Sequence, residues 1–420
     1  MSVTTIDPTL TKAIATHRAG RLPEAKAQYE RVLRRRPNDP DALNFLGMLE
    51  HQSGNPSRGI ELLQRSVRSA PGNPHAWVNL GNMLMGAGQI EHADDAFRRA
   101  TSLAPDLWQP WYNRGIVLRR LERYEEAIES LKTSLVVNPR HDLAYDRLAM
   151  LYYGSGQLEK LRELYRSWVT QNPDSVTARH MNAALSGETP PERASDEYVR
   201  ETFNAFADSF DQNLTGLGYM APQLIADAVR RQRATGESAL DVLDAGVGTG
   251  LAGPLLRGFA RTLVGVDLSP GMVDKARQRR LYDELAVDEL CAYMRVRACA
   301  FDVVISADTL VYFGALDGAL AAAHVCLRPE GLLAFTVELW ETDDEAARYR
   351  MGAHGRYMHA PAYVRAALGA AEFRIEELDQ VVLRTELGKE VRGLLAVATR
   401  LDARGTPAGP APSGCAGAQS

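Results

Sequence analysis

The chain has 420 residues, of which 45% are hydrophobic and 24% charged, and its formal net charge is −5. This length predicts two or three domains, and the composition is that of a folded globular protein, which excludes disorder for most of the chain. Charge interrupts every apolar run well before the roughly 18 residues that a spanning helix needs, so no membrane segment is predicted. No secretory signal is visible, and the four cysteines form no C-x-x-C pair. We therefore expect a cytoplasmic protein without a disulfide or zinc framework.

Charge differs between the two halves of the chain. Residues 1–185 carry 24 basic and 20 acidic residues, a net charge of +4. The remaining residues carry 24 basic and 33 acidic residues, a net charge of −9. Neither half has the basic surplus that is typical of nucleic-acid-binding proteins, so a nucleic-acid partner is not expected.

The first 175 residues repeat with a period of 34. Prolines recur at this interval at Pro37, Pro71, Pro105, Pro139 and Pro173. Glycines keep the same step at Gly20, Gly54, Gly88 and Gly156, with Glu122 in the fourth unit. A third row of small residues consists of Ala13, Gly47, Gly81, Gly115 and Ala149.

This grid resembles the tetratricopeptide repeat, a 34-residue unit of two helices. The small residues let the two helices of a unit approach closely, the glycine supports the turn between them, and the proline ends the second helix. We therefore predict an all-α solenoid of about five units over residues 6–175. It belongs to an N-terminal domain of residues 1–185.

The concave face of such a solenoid is lined by the first helix of each unit. Three asparagines, Asn79, Asn82 and Asn113, are predicted on that face, where amides can bind the backbone of an extended peptide. A polar groove filled by water is the alternative, because a repeat predicts a surface and not a ligand. A protein or peptide partner at this groove is therefore a hypothesis.

Composition marks the other boundaries. Residues 186–194 are rich in glycine, proline and charge and are predicted to form a linker. A second domain is predicted over residues 195–402. Residues 403–420 are almost entirely small residues and proline, which cannot bury enough apolar surface to offset ordering, so a disordered tail is predicted.

The second domain contains a glycine-rich turn between two strands. The strand LDVLDA precedes Gly246, Gly248 and Gly250, and after a helical segment the strand TLVGVD ends at Asp267. Strand, glycine turn, helix and acid-tipped strand form the nucleotide half of a doubly wound α/β fold. The glycines allow close approach of a ligand, and the carboxylate can accept both ribose hydroxyls.

Two ligand classes fit this spacing. A nicotinamide dinucleotide fingerprint reads G-x-G-x-x-G and places a pyrophosphate on the helix N-terminus. Here the glycines read G-x-G-x-G and follow Asp244, whose charge would repel a pyrophosphate but suits a cationic sulfonium and its amino group. The residues therefore favour a methyl-donor site over a dinucleotide site.

The segment VGVDLSPGMVDKARQR completes a pattern that resembles the class I methyltransferases. The resemblance implies a Rossmann-like domain that binds S-adenosylmethionine, releases S-adenosylhomocysteine and needs no metal. The cofactor residues it implies are Asp244, Gly246, Gly248, Gly250, Asp267, Asp288, Ser306 and Asp308. Asp288 would accept the adenine amino group, and a helix N-cap is its alternative role. Glu330 stands where the family usually has a second glycine, which questions that turn.

Four further pieces carry a closer resemblance. They are FADSFD (206–211), LGYMAP (217–222), DTLVYFG (308–314) and GRYMHAPAYV (355–364). They resemble a bacterial family of predicted methyltransferases that carry tetratricopeptide repeats. The resemblance covers both domains and implies no defined substrate. The segment GLLAVATR (393–400) is predicted to be an edge strand inserted after the last crossover.

Catalytic residues are harder to predict. Methyl transfer from a sulfonium is an in-line displacement in which proximity can supply about 7–11 kcal/mol, so a general base is optional. Candidates for the acceptor pocket are Glu338, His354, Tyr357 and His359, because strand ends and the following loops form the site in such sheets. His359 can equally be a helix-start residue that bonds to backbone. The sequence thus predicts a methyltransferase with recruiting repeats; the alternative is a repeat scaffold whose methyltransferase-like domain is catalytically weak.

Overall fold

The computed structural model describes residues 8–186, 189–233 and 239–401. The chain divides into two compact units, the first ending at Asp174 and the second beginning at Ser175. The predicted tail and residues 187–188 of the predicted linker lie outside the described residues.

The first unit consists, in its described part, of five consecutive helix pairs. The helices are α1 (Pro8–Arg18), α2 (Leu22–Arg35), α3 (Pro40–Gln52), α4 (Pro56–Ser69), α5 (Pro74–Gly86), α6 (Ile90–Leu103), α7 (Trp108–Arg120), α8 (Tyr124–Val137), α9 (Asp142–Gly154) and α10 (Leu158–Gln171). The predicted all-α repeat is confirmed. Each recurring proline follows the end of a second helix by two residues, where its missing N–H and fixed φ prevent the helix from continuing.

The row of small residues marks close contact between the helices of a pair. A Cβ added to Gly81 of α5 would lie 2.6 Å from the ring of Phe97 on α6. One added to Gly115 of α7 would lie 2.7 Å from Leu131 on α8. A larger residue at either position would force the two helices apart.

The glycines between paired helices adopt the left-handed conformation, with φ from 71° to 86°. Glu122, which takes the glycine position in the fourth unit, has a φ of 59°. The turn geometry is therefore set by the repeat and imposed on the glutamate.

The helix α11 (Val176–Leu185) groups with the second unit, whereas the sequence prediction extended the repeat domain to residue 185. The ring of His180 stacks on Tyr198 at a centroid distance of 3.8 Å. Its Nε2 donates to the carbonyl of Gly355 at 2.8 Å. These contacts with distant parts of the second unit explain the earlier boundary.

The second unit is a sheet with helices on both faces. Its strands are β1 (Leu240–Ala245), β2 (Ala260–Asp267), β3 (Glu284–Val287), β4 (Phe301–Ser306), β5 (Leu327–Leu339), β6 (Tyr349–Met351), β7 (Tyr357–His359), β8 (Phe373–Glu386) and β9 (Lys389–Arg400). Its further helices are α12 (Asp196–Phe206), α13 (Phe210–Gly216), α14 (Ala221–Gln232), α15 (Gly253–Leu256), α16 (Pro270–Arg279), α17 (Leu290–Arg295), α18 (Asp317–Cys326) and α19 (Pro361–Ala370), with a 3-10 helix at Leu310–Tyr312.

The strands β3, β2, β1, β4 and β5 are parallel in that order, and β9 then pairs antiparallel with both β5 and β8. The predicted Rossmann-like fold is confirmed. The prediction of an edge strand at 393–400 is wrong, because β9 lies between β5 and β8. The long strand β8 escaped prediction because its exposed and half-buried residues give it no continuous apolar run.

All six residues of β1 are buried, as expected for a parallel strand covered on both faces. Leu243 packs in the hydrophobic cluster on one face, and Val242 packs in the cluster on the other. Because parallel strands run in one direction, the residues that end β1, β2 and β4 meet at a single edge of the sheet.

Candidate functional site

A cavity of about 980 Å³ lies at the carboxyl ends of β1, β2 and β4. Its walls come from the glycine turn after β1, the end of β2, the segment after β4, and the helices α12 and α13. Ligand sites of open α/β sheets occur at this edge, and the volume lies within the usual range for small-molecule sites.

Each glycine of the turn has a separate steric reason. Gly246 has a φ of 90°, and a Cβ there would lie 2.0 Å from the hydroxyl oxygen of Thr309. Gly250 has a φ of 82°, and a Cβ there would lie 3.0 Å from the ring of Tyr282. A Cβ on Gly248, whose φ is 53°, would meet nothing within 4 Å, so this residue borders open space. The turn therefore leaves its middle glycine facing the cavity.

Asp267 lies at the tip of β2 and lines the cavity. Its Oδ2 accepts a hydrogen bond from the amide of Gly248, and its Oδ1 accepts one from the amide of Ser269, both at 2.9 Å. Burial raises the pKa of this carboxyl, and the amide donors act in the opposite direction. Each oxygen retains a further lone pair, which suits the two hydroxyls of a ribose.

Asp244 is only 2% exposed and lines the cavity next to the glycine turn. Its Oδ2 accepts a hydrogen bond from the hydroxyl of Tyr282 at 2.7 Å. Burial raises the pKa of Asp244 to about 7, although the Tyr282 hydroxyl lowers it and the Asp267 charge raises it further. A buried carboxyl of this kind is stabilised in its ionised form by a cationic ligand.

The segment after β4 separates two predicted site residues. Asp308 lines the cavity with a φ of 51°, and its Oδ1 accepts a hydrogen bond from Thr336 at 3.0 Å. It also forms an ion pair with Arg384 of β8. Ser306 does not line the cavity; its buried hydroxyl donates to the carbonyl of Ala245 at 2.8 Å and ties β4 to β1.

Asp288 follows β3 and is exposed. Its carboxylate accepts a hydrogen bond from the amide of Glu289 at 2.8 Å, and it is not part of the cavity wall. Glu289 and Leu290 line the cavity here, and Glu289 caps α17 by accepting from two of its amides. The role of Asp288 at adenine stays a prediction, and the N-cap role falls to its neighbour.

Glu338 and His354, two of the candidates for the acceptor pocket, belong to a buried ionic network outside the cavity wall. Glu338 is 2% exposed and accepts from Arg356 Nε at 2.6 Å. His354 Nε2 lies 3.2 Å from Glu338 Oε2, and burial lowers the pKa of His354 to about 4. Arg384 contacts both Glu338 and Asp308, so the cavity-facing end of the network is Asp308.

The other two candidates are also outside the cavity wall. The hydroxyl of Tyr357 donates to the carbonyl of Pro191 at 2.7 Å. His359 is fully buried, and its Nε2 donates to the carbonyl of Gly314 at 3.1 Å. Burial lowers the pKa of His359 to about 4, so its ring is neutral at physiological pH. These contacts match the backbone-bonding alternative for His359, which directly precedes the start of α19.

Aromatic residues missed by the sequence analysis cover the cavity. They are Phe203 of α12, Phe210 of α13, Tyr219, Tyr312 and Phe313. Phe210 and Tyr219 belong to the pieces FADSFD and LGYMAP, which were noted only for their resemblance. That resemblance was the available signal, since neither piece forms a strand or a glycine turn that would indicate a position in the sheet.

The three asparagines of the repeat unit lie on first helices, as predicted. Asn113 of α7 donates to Asn82 Oδ1 of α5 at 2.7 Å. Asn79 of α5 donates to Asn44 Oδ1 of α3 at 3.0 Å. The amides therefore link first helices of neighbouring units, and their contact with a peptide stays a prediction.

Comparison with known proteins identifies both units. Residues 243–335 match the family model described as a methyltransferase domain. Residues 10–74, 74–107 and 108–141 match tetratricopeptide repeat models. The chain thus joins N-terminal tetratricopeptide repeats to a class I methyltransferase domain, which confirms the family predicted from its motifs.

The similar curated proteins include malonyl-[acyl-carrier protein] O-methyltransferases. The protein from Acetivibrio thermocellus is 34% identical over 24% of this chain and 36% of its own length. The one from Priestia megaterium is 26% identical over 44% of this chain and 66% of its own length. The chain spans between about a third and two thirds of the length of these two relatives. Among solved structures, the crystal structure of MamA aligns with 40% of this chain and 96% of its own, at 23% identity and a TM-score of 0.37.

Two searches of the described residues gave no match. None of their helices is long and apolar enough to cross a membrane. No group of three or more His, Cys, Asp or Glu side chains among them is arranged to hold a metal ion.

Proposed function

We propose that this protein is an S-adenosylmethionine-dependent methyltransferase, with the cofactor held in the cavity at the carboxyl ends of β1, β2 and β4. The observation that carries the proposal is the position of Gly248. It borders open space, with the buried carboxyl of Asp244 and the amide-bonded carboxyl of Asp267 on the same cavity wall.

The residues present fit this cofactor. Asp267 would accept the ribose hydroxyls, and Asp244 would face the cationic end of the molecule. The left-handed turn gives the backbone space for close approach at Gly248. A dinucleotide would instead bring a pyrophosphate towards Asp244, and two anions in a buried site repel each other strongly.

The cofactor supplies a methyl group that is already activated by the positive sulfur, so the chain has to align the acceptor and exclude water. Phe203 and Phe210 cover the cavity with apolar surface. Asp308 is the cavity-facing carboxyl next to the segment after β4, and Arg384 and Thr336 fix its orientation. It can hold the acceptor atom in line and take its proton as the new bond to carbon forms.

Glu330 is the observation that favoured a catalytically weak scaffold. Its φ of 59° shows that the glutamate adopts the left-handed conformation that the usual glycine would have. The turn into β5 therefore keeps its geometry, which supports the enzyme over the scaffold.

The repeat unit is proposed to recruit a protein or a carrier-bound acceptor. The matched relatives are named for an acceptor attached to a carrier protein. The first helices of the repeats also present the linked asparagines Asn82 and Asn113.

Calorimetry on the full chain tests the cofactor. The wild-type protein should bind S-adenosylmethionine and S-adenosylhomocysteine. Asp267→Ala should lower the affinity at least tenfold, since a hydrogen bond to a charged group contributes about 1.5–3 kcal/mol. Asp274→Ala, which removes an exposed acid from the neighbouring helix α16, is the matched control and should bind normally. Binding of NAD with no heat from either sulfur compound would refute the proposal.

Recruitment is tested with labelled cofactor in a lysate, which identifies the acceptor by transfer of label. On that acceptor, Asn82→Ala with Asn113→Ala should raise KM with little change in kcat, because uniform binding is what is lost. Cofactor affinity should stay normal in this double variant. A normal KM would show that these asparagines do not recruit the acceptor.

A further inference from the structure

Tyr282 lies in the loop between α16 and β3, behind the wall of the cavity. Its hydroxyl donates to Asp244 Oδ2 at 2.7 Å. Its ring supports the glycine turn from below, since a Cβ on Gly250 or on Gly253 would lie 3.0 Å from Tyr282 Cε2. One side chain therefore contacts both the buried acid and the turn beside it.

The surroundings of Asp244 make this contact important. Asp244 is 2% exposed, and the nearby Asp267 on β2 repels its charge. Tyr219, across the cavity, interacts with the charges of both Asp244 and Asp308. Tyr282 is the hydrogen-bond donor that opposes these effects.

Tyr282 can act only as a donor. Burial raises the pKa of its hydroxyl far above the usual range, and the Asp244 charge raises it further, although Arg279 acts in the opposite direction. The phenol therefore keeps its proton at any physiological pH. A neutral donor that points at a buried carboxyl stabilises the ionised form of that carboxyl.

We propose that Tyr282 is a positioning residue of the cofactor site, which orients Asp244, supports the glycine turn and couples cofactor binding to proton release from Asp244. In the free protein, Asp244 is partly protonated near neutral pH. When the cationic cofactor binds, the proton leaves to solvent, and the carboxylate charge is balanced by the ligand. This inference rests on the proposed cofactor.

Tyr282→Phe separates the two contacts, because it keeps the ring and removes the donor. Asp244 should then hold its proton more strongly. The affinity for S-adenosylmethionine at pH 7 should fall about tenfold, as expected for loss of a hydrogen bond to a charged group. The affinity should recover as the pH rises, so the pH profile of Kd moves upward by about one unit.

The matched control is Tyr293→Phe. The hydroxyl of Tyr293 also donates to a carboxylate, Glu284 Oε1, at 2.9 Å, but neither residue lines the cavity. This variant loses the same kind of bond elsewhere in the same unit. It should bind the cofactor like the wild-type protein at every pH.

Calorimetry of the full chain between about pH 6 and 8.5, in buffers of different ionisation heat, measures both affinity and proton release. The ligand amino group also titrates, so proton release is compared between variants with the same ligand. Wild-type protein should release more protons than Asp244→Asn. Tyr282→Phe should show weaker binding at pH 7 and a displaced profile.

Two results would overturn the inference: a Tyr282→Phe profile identical to wild type, or proton release that is unchanged in Asp244→Asn. If Tyr282→Phe fails to fold, the comparison with Asp244→Asn still decides the proton coupling. If the wild-type protein binds no S-adenosylmethionine at any pH, the proposed function fails instead, so the two failures are distinguishable.

Discussion

The repeat unit and the methyltransferase unit both bury charge, but they compensate it over different distances along the chain. In the repeats, Asp94 is 5% exposed and pairs with Arg114 and Arg123, each at 2.7 Å and within 29 residues. In the methyltransferase unit, Arg384 pairs with Glu338 and Asp308, which lie 46 and 76 residues away.

This difference reflects the two architectures. A solenoid repeat contacts only its neighbours, so its charges are paired within a repeat or with the next one. A parallel sheet brings distant strands together at one edge, so the charges of its site come from segments far apart in the chain. The ionic network behind the cavity should therefore be the more vulnerable of the two.

The largest expected effect is that of Arg384→Met. This change leaves Glu338 and Asp308 without a cation that both contact, and breaking a buried pair in this way costs about 3–5 kcal/mol. Denaturant unfolding should show the loss in the methyltransferase unit, with the repeat unit unaffected.

Arg114→Met is the counterpart in the repeats. Asp94 keeps its bond to Arg123, so the loss should be about 1–2 kcal/mol, the range for one hydrogen bond to a charged group. An equal cost for the two variants would contradict the comparison.

The next effect concerns pH and the buried Asp244. Its pKa is about 7 in the folded protein against 3.8 for the model carboxyl, so the folded state binds more protons between these values. Stability of the methyltransferase unit should therefore fall as pH rises through this window. Asp244→Asn removes the penalty. Its advantage over wild type in ligand-free protein should widen by on the order of 2–3 kcal/mol between about pH 5 and 8.

The measurement is thermal unfolding of both proteins across this range. The repeat unit, which does not contain Asp244, supplies the internal control within each sample. A constant difference between the variants at all pH values would show that Asp244 is ionised throughout.

A smaller effect tests the packing of the repeats. Gly81→Ala would place a methyl group 2.6 Å from the Phe97 ring, and overpacking of this kind costs about 1–3 kcal/mol. Gly86→Ala is the matched control at the end of the same helix, where a Cβ would meet nothing within 4 Å. Chemical unfolding should show a loss for the first variant and none for the second.

The smallest effect is shared by the two units. Glu122 and Glu330 both have a φ of 59°, a conformation that costs a non-glycine residue about 1–2 kcal/mol. Changing either to glycine should stabilise its own unit by about 1 kcal/mol or less, because the unfolded chain also gains freedom. Glu125→Gly, in the first turn of α8, should instead destabilise the repeats. A loss of stability in both Glu122→Gly and Glu330→Gly would mean that their side chains contribute more than the strain costs.

The sequence alone determined the features whose contacts are local. The 34-residue grid predicted the helix pairs because each small residue packs within its own unit, as Gly81 does on Phe97. It also predicted the glycine turn, Asp244 and Asp267, since strand, turn, helix and strand follow one another directly in the chain.

Tertiary structure decided what surrounds those residues. Tyr282 lies 38 residues from Asp244, and Arg384 lies 76 residues from Asp308. No local period links such pairs, because the sheet brings them together only when it assembles. For the same reason Glu338 and His354 looked like acceptor residues in the sequence, whereas folding buries them in the network behind Asp308.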